Sequence, residues 1–221
     1  SSNLGQFSAR TGRLDSGALG PLPLPALIDA NASRSVAIGN INGNTYSFWR
    51  NQSTSSTATT FAGMKQELNQ VYNDCTKGIM GNPDLCLVDQ RIYEQYFNSL
   101  QNQERYIVDN PRILNLLGGS EALKMRGATL LWDEVVPDVE TNADLVDSVG
   151  TVGSAGGTAF FINSETWNYV VDSETDFITT AFLRPENQDA RVAQILWMGA
   201  TTINNRRKNG VLYGISRSIV A

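Results

Sequence analysis

The sequence predicts an α+β fold, in which a few helices are combined with antiparallel sheets. Two observations lead to this class. Residues 58–78 and 89–100 carry apolar side chains at three- and four-residue steps, which is the period of an amphipathic helix. From residue 105 onward, short runs of β-forming residues alternate with turn residues, which is typical of strands. With 221 residues, the chain is long enough for one large domain or two small ones.

The first 57 residues show no long period, and we expect them to form an extended segment that packs on the rest of the chain. Pro21, Pro23 and Pro25 stand at alternate positions. Because proline removes a backbone donor and fixes φ, this spacing argues against a helix and favours a polyproline-like path. Residues 26–57 are rich in turn residues and are predicted to hold one or two short strands and a long loop.

Residues 58–78 give the clearest helical pattern. The threonines at 57, 59 and 60 are candidate N-caps, and Gly78 and Gly81 are placed to end the helix before Pro83. The apolar face predicts a helix that packs on a core; its members are Phe61, Met64, Leu68, Val71, Tyr72, Cys75 and Ile79.

A short buried strand is predicted at 84–88, with Asp89 as the N-cap of the second helix. No glycine-rich phosphate loop joins these two elements. Later strands are predicted at 128–132, continued by 133–136, and at 158–162, 167–171 and 177–183. Residues 191–203 are predicted to be a long strand or a helix that becomes a strand, and Asn209-Gly210 a hairpin turn before a returning strand.

Several kinds of catalytic site are excluded by composition. The chain has no histidine, which removes Ser-His-Asp and Cys-His systems, and its two cysteines, Cys75 and Cys86, cannot fill a zinc site. We expect both cysteines to be buried free thiols, with a disulfide as the alternative. No catalytic, cofactor-binding or metal-binding residue is therefore predicted.

Carboxylate chemistry is the one mechanism that composition leaves open. Most of the candidates lie in a predicted acidic and then glycine-rich loop at 138–157, which we interpret as solvated. The segment does not match an EF-hand loop, and the glycine pairs do not belong to a P-loop. The carboxylate candidates are Asp133, Glu134, Asp138, Glu140, Asp144 and Asp147.

Charge and aromatic content bear on the partners. The net charge of −5 argues against a surface that tracks phosphates. The one basic cluster, residues 206–208, is interpreted as a solvated turn between strands, and phosphate binding is the alternative. Four tryptophans, at 49, 132, 167 and 197, are interpreted as core or interface packing, and a sugar or base platform is the alternative. No apolar run is long enough to span a membrane. Residues 1–20 lack the basic and then apolar regions of a signal peptide, and the missing initial Met leads us to expect a processed, truncated or partly ordered chain.

The order of several motifs resembles the major capsid proteins of tailed bacteriophages and prophages, which have the Hong Kong 97-type fold. The resemblance covers about residues 26–219. It is carried by Asn82-Pro83-Asp84-Leu85-Cys86-Leu87-Val88, Gly127-Ala128-Thr129-Leu130-Leu131-Trp132-Asp133, Val136-Pro137, Phe160-Phe161-Ile162-Asn163, Phe182-Leu183-Arg184-Pro185, Gln188-Asp189-Ala190-Arg191-Val192-Ala193 and Asn204-Asn205-Arg206-Arg207 with Gly210-Val211-Leu212.

This resemblance implies a structural protein without catalytic activity. It implies an A-domain near residues 84–170 and a P-domain formed by 58–83 and 171–221, with residues 1–57 extended along them. The family's N-terminal arm, E-loop and spine helix are not evident upstream.

The function implied is self-assembly, through pentamers and hexamers, into the icosahedral shell of a phage genome. The shell would be built in the cytoplasm of a bacterial host and would end as part of the virion. The partners implied are further copies of the chain, a scaffold, a portal or a maturation protease, with weak contact to packaged DNA. The alternatives are an encapsulin-like shell and an extracellular β-rich carbohydrate-binding domain.

Overall fold

The computed structural model describes residues 24–30, 37–38, 40–78, 81–100, 123–134, 136, 156–184, 191–217 and 219. Within them lie three α-helices, namely α1 (Leu24–Leu27), α2 (Phe61–Thr76) and α3 (Gln90–Asn98). The strands of the described residues are β1 (Ala37–Ile38), β2 (Ile41–Asn42), β3 (Gln52–Ser55), β4 (Leu85–Val88), β5 (Leu123–Met125), β6 (Ala128–Trp132), β7 (Gly157–Ile162), β8 (Trp167–Val171), β9 (Ile178–Thr179), β10 (Ile195–Leu196), β11 (Gly199–Ile203) and β12 (Gly210–Ile215).

Six of these strands form the main sheet, in the order β3-β12-β7-β4-β6-β5. The β12–β3 and β4–β6 pairs are parallel, whereas the β12–β7, β4–β7 and β5–β6 pairs are antiparallel. The α+β class is therefore confirmed, and the sheet is mixed. It joins strands from all three of the ranges into which the sequence was divided, and that division into domains stays a prediction.

Helices α2 and α3 cover one face of this sheet. Helix α2 follows the predicted period, and its side chains Met64, Leu68 and Val71 are fully buried. They pack with the sheet side chains Cys86 and Phe161, among others, in one apolar cluster. The two central strands of the sheet, β7 and β4, are covered on both faces. Their residues are therefore nearly all apolar, and all six residues of β7 are buried.

The opposite face of the sheet is covered by the segment 24–30. Ile28 and Ala30 pack there with Phe160, Val211 and Tyr213 in a second apolar cluster. The segment begins with the single helical turn α1, which contains Pro25, so the expectation that the prolines exclude a helix was wrong at this point. Proline is tolerated in the first turn of a helix, where its missing N–H would have no partner.

A local irregularity reverses the alternation of β12 near its end. Leu212 and Ile215 both belong to the helix-facing cluster, although they are three residues apart. The register shifts between them, and Gly214 has a φ of +70°. A β-bulge with glycine in the left-handed region accounts for this shift.

Two further predictions about local structure were wrong. Strand β6 ends at Trp132, so Asp133 and Glu134 do not continue it as predicted for 133–136. Asn209 has an extended backbone (φ −115°, ψ 152°), and β12 pairs with β7 and β3, so Asn209-Gly210 is not a hairpin turn. The predicted returning strand exists, but its partners are distant in sequence, and a local motif does not reveal them.

Strands β1 and β2 pair with each other. The other four strands, β8 to β11, form a separate two-stranded ribbon, which comprises residues 167–184 and 191–203. Strand β8 pairs with β11 from Trp167↔Ile203 to Val171↔Gly199, and β9 pairs with β10. An isolated bridge between Leu183 and Val192 extends the pairing. The returning segment 191–203 contains no helix and is not one continuous strand, since Trp197 and Met198 separate β10 from β11.

Candidate functional site

The ribbon carries most of the exposed apolar surface of the described residues. Among the described residues, thirteen large hydrophobic side chains are at least 44% exposed. Ten of these thirteen lie on the ribbon. Contiguous apolar surface of this kind marks an interaction site more often than chance exposure does. The ten are Tyr169, Val170, Phe177, Ile178, Phe182, Leu183, Val192, Ile195, Leu196 and Met198.

Charge is missing from the same parts of the ribbon. Residues 177–183 contain no charged side chain, and neither do residues 192–203. Natural proteins protect exposed strand edges with charges, prolines or bulges, because unpaired N–H and C=O groups there otherwise pair with other chains. An uncharged, apolar and exposed ribbon is therefore expected to be covered by a partner.

The proximal half of the ribbon has two unlike faces. Tyr169 and its cross-strand neighbour Thr201 share one face, where Trp197 stacks on Tyr169 with ring centroids 5.9 Å apart. A Cβ at Gly199 would lie 2.4 Å from the Trp197 ring, so the indole occupies the space above that glycine. The other face presents Val170, which is 54% exposed.

The ribbon is interrupted between β8 and β9 by a turn at 172–177. The carboxylate of Asp172 accepts hydrogen bonds from the backbone N–H of Glu174 and the hydroxyl of Thr175. Phe177 follows with a φ of +53°, a region that bulky residues rarely adopt. Its ring lies 6.2 Å from that of Trp197 and is 69% exposed. A strained and exposed aromatic residue is typical of a functional surface.

The basic cluster at 206–208 is a turn, as predicted, but it is not solvated. It forms a 3₁₀ turn in which Arg206 and Lys208 are each 3% exposed, while Arg207 is exposed. Burial lowers the pKa of Arg206, and nearby Asp29 acts in the opposite direction. Buried cations are paired with carbonyl or carboxylate oxygens, and sequence alone does not show those distant partners.

The predicted candidates for other chemistry are distributed as follows. Asp133 and Glu134 are exposed, and the other four carboxylate candidates lie outside the described residues. Both cysteines are free and buried. Burial raises the pKa of Cys75 to about 12 and raises that of Cys86 further above its usual range. The thiols are therefore protonated at neutral pH and poor nucleophiles.

The four predicted packing tryptophans have different environments. Trp167 is partly buried against the second apolar cluster, and Trp197 packs within the ribbon. Trp49 is partly buried, whereas Trp132 is 45% exposed. Within the described ranges, no three metal-ligating side chains come together. None of the helices in that part of the chain combines the length and the apolar character needed to cross a bilayer.

Comparisons with known proteins yield structural similarity only. No protein-family model matches the sequence, and no curated protein does. The capsid protein in the cyanophage A-1(L) capsid asymmetric unit matches 93% of this chain with a TM-score of 0.51 at 10% identity. The protein of the holo-SrpI encapsulin complex from Synechococcus elongatus matches 80% with a TM-score of 0.49 at 12% identity.

The chain spans 63% of the length of the cyanophage protein and 59% of that of the encapsulin. Both of these neighbours are shell-forming proteins of the Hong Kong 97-type fold. The resemblance read from the sequence motifs is confirmed at the level of fold, and the chain has the mixed α+β architecture of Hong Kong 97-type shell proteins.

Proposed function

We propose that this chain is a phage major capsid protein, which assembles with copies of itself into an icosahedral shell around a phage genome. The single observation that carries this proposal is the ribbon, with ten exposed apolar side chains and no charge over residues 192–203. The fold supports it, since the cyanophage neighbour is a capsid protein. We propose that the ribbon lies against neighbouring subunits.

The chemistry of the ribbon favours a permanent interface over a transient one. Permanent interfaces are more apolar than transient ones and resemble a protein core, whereas transient ones keep the polarity of ordinary surface. In the described residues, the distal half of the ribbon has two strands, which pair through β9 and β10 and through the bridge between Leu183 and Val192. Two-stranded structures are marginal in water without packing against another element. A neighbouring subunit would provide that packing.

The location and partners follow as part of the proposal. The shell would belong to the virion and would be assembled in the cytoplasm of a bacterial host, with a scaffold, a portal and a maturation protease as further partners. The net charge of −5 supports only weak contact with packaged DNA, because affinity for phosphates depends on Lys and Arg. In domain terms, the proposal keeps the predicted division, with an A-domain near residues 84–170 and a P-domain formed by 58–83 and 171–221.

The proposal is tested by expressing the full-length protein and examining it by gel filtration with light scattering and by negative-stain microscopy. We expect closed particles or rings of capsomers for the wild type. Phe182→Glu and Ile195→Glu place a charge on residues that are each 70% exposed on the ribbon, so they should abolish assembly and leave folding intact.

A matched control is Phe48→Glu, since Phe48 is 61% exposed but lies outside the ribbon. It should assemble like the wild type. If the wild type stays monomeric at high concentration with scaffold and protease present, the capsid proposal is wrong. If the ribbon variants assemble as well as the wild type, the ribbon is not the interface.

The same particles separate the two kinds of shell. Particles that protect nucleic acid from nuclease support the phage capsid, whereas particles filled with one cargo enzyme support the encapsulin-like alternative. Monomers whose tryptophan fluorescence changes on adding soluble glycans would support carbohydrate binding instead, with Tyr169, Phe177 and Trp197 as its platform.

A further inference from the structure

Both ends of the ribbon meet the main sheet at one buried residue, Asn209. The chain leaves the sheet at the end of β7, makes a 3₁₀ turn at Ser164–Thr166 and enters β8. It returns through β11 and a second 3₁₀ turn, and Asn209 then precedes β12. Asn209 is 0% exposed and therefore lies inside this junction.

The side-chain amide of Asn209 uses its full hydrogen-bonding capacity. Its Oδ1 accepts from the backbone N–H of Asn163 at 2.9 Å and from the indole Nε1 of Trp167 at 3.0 Å. Its Nδ2 donates to the hydroxyl of Thr166 and to the carbonyl oxygen of Asn205, both at 3.0 Å. An amide has two acceptor positions and two donor hydrogens, so all four are satisfied.

These four partners belong to both ends of the ribbon. Asn163, Thr166 and Trp167 lie on the outgoing side, and Asn205 lies on the returning side. A backbone hydrogen bond from Asn204 to the carbonyl of Thr166 closes the same junction at 3.0 Å. Asn209 therefore ties the two ribbon ends to each other.

The backbone of Asn209 ties the same junction to the sheet. Its N–H donates to the carbonyl of Arg206 at 3.0 Å, and its carbonyl accepts from the N–H of Gln52, the first residue of β3, at 3.0 Å. A fully satisfied buried polar network specifies one geometry, since any rotation leaves a buried donor or acceptor unpaired.

We propose that Asn209 is the positioning residue that fixes the direction in which the ribbon leaves the main sheet. The proposal concerns the isolated subunit. Its consequence, that Asn209 sets the geometry of contacts between subunits, rests on the proposed function.

The test measures the distance between the sheet unit and the ribbon by spin labelling of unassembled subunits. Labels at Gln70→Cys on α2 and Ala200→Cys on the ribbon occupy exposed positions, whereas the native cysteines are buried and stay unlabelled. The wild-type background should give one narrow distance distribution. Asn209→Ala should lose that narrow peak while the circular dichroism of the sheet is retained.

Two milder variants keep the test decisive if Asn209→Ala does not fold. Trp167→Phe removes one donor to Oδ1 and keeps an aromatic ring. Thr166→Val removes the acceptor for Nδ2 and also the hydrogen bond from the same hydroxyl to the carbonyl of Asn163. Each should broaden the distance distribution and raise the exchange rate of the Asn163 amide by roughly tenfold or more, since at least one buried hydrogen bond is lost.

The matched control is Asn168→Ala. Asn168 is also an asparagine of the ribbon, but it is exposed and its only side-chain bond described is a 3.3 Å contact to Asn204. This variant should keep the narrow distribution. If Trp167→Phe and Thr166→Val also keep it, Asn209 does not position the ribbon. Particle formation is measured separately. A wild type that never assembles contradicts the proposed function, but the role of Asn209 is still tested by the distance measurement on unassembled subunits.

Discussion

The guanidinium Nε of Arg206 lies 2.8 Å from the carbonyl oxygen of Leu27, although the two residues are 179 positions apart. A second guanidinium nitrogen donates to Oδ1 of Asn51 at 3.0 Å, and Nδ2 of Asn51 donates to the carbonyl of Asp29 at 2.7 Å. This buried network fastens the segment 24–30 to the second face of the main sheet.

Replacing Arg206 by Met should therefore destabilise the protein. The substitution keeps the apolar stem but removes the hydrogen bonds to the Leu27 carbonyl and to Asn51, together with the positive charge near the buried Asp29. We expect a loss of about 3 kcal/mol in the free energy of unfolding, measured by denaturant titration. Arg207→Met is the matched control at the adjacent, exposed position and should change it by less than about 0.5 kcal/mol. Equal stability of the two variants would contradict the fastening role.

Lys208 stabilises the end of α2 in a comparable way. Its Nζ lies 3.4 Å from the carbonyl oxygens of Thr76 and Lys77 and 3.5 Å from that of Gly78. A cation at a helix C-terminus interacts favourably with the free carbonyls and the helix dipole. Lys208→Met should cost about 1–2 kcal/mol and should increase amide exchange in the last turn of α2.

A suitable comparison is Lys77→Met. Lys77 forms a surface salt bridge with Asp74 and its side chain is 66% exposed, so its loss should cost about 0–1 kcal/mol. If amide exchange in the last turn of α2 increases more in Lys77→Met than in Lys208→Met, the buried amine of Lys208 does not stabilise the end of this helix.

The two buried thiols make stability depend on alkaline pH. The folded-state pKa of Cys75 is raised from 9.0 to about 12 by burial, and that of Cys86 is raised further by the same cause. Above pH 9 the unfolded chain loses these protons while the folded chain keeps them, so the unfolded state is favoured. The contribution is fully present below pH 9, and for Cys75 it is lost progressively between about pH 9 and 12.

Each thiol should lower the free energy of unfolding by about 1.4 kcal/mol per pH unit within that window. The measurement is urea unfolding at several pH values from 8 upward. Cys75→Ala and Cys86→Ala should each give a shallower decline than the wild type, whatever their stability at pH 7. If the free energy of unfolding declines with pH at the same rate in all three proteins, the thiols ionise in the folded state as readily as in the unfolded state.

Phe177 allows backbone conformation and interface contact to be separated. A left-handed backbone costs a non-glycine residue about 1–2 kcal/mol, and Asn tolerates it better than Phe. Phe177→Asn should therefore keep or raise the unfolding free energy of the subunit. If the ring is buried by a neighbour, the same substitution should raise the concentration needed for assembly by about tenfold or more. If light scattering shows that Phe177→Asn assembles at the same concentration as the wild type, Phe177 lies outside the interface.

Local patterns in the sequence predicted the helices and most strands correctly. The apolar period of residues 58–78 identified α2, and strand β8 was predicted with the bounds that the structure has. Asp89 does occupy the N-cap position of α3, but its carboxylate forms no cap and accepts a hydrogen bond from Arg217 at 3.0 Å. Partners distant in sequence explain this difference, and the same reason applies to Asn209.

The exposure of the ribbon was not predicted. A run such as 192–203 reads as a core strand by its apolar content, and burial depends on whether another element of the chain covers it. The sequence feature that indicates this exposure is the absence of charged side chains over residues 192–203, next to the predicted turn at 206–208. The basic residues of that turn were misjudged for a similar reason, because burial of Arg206 and Lys208 depends on carbonyl groups contributed by α1 and α2.

Among the described residues, only Trp167 of the ribbon packs against either apolar cluster of the sheet. Substitutions elsewhere on the ribbon therefore leave the apolar clusters of the helices and sheet untouched. Under the proposed function, the outer surface of the ribbon is therefore free to change with the copies it contacts, whereas the sheet is constrained by its own packing.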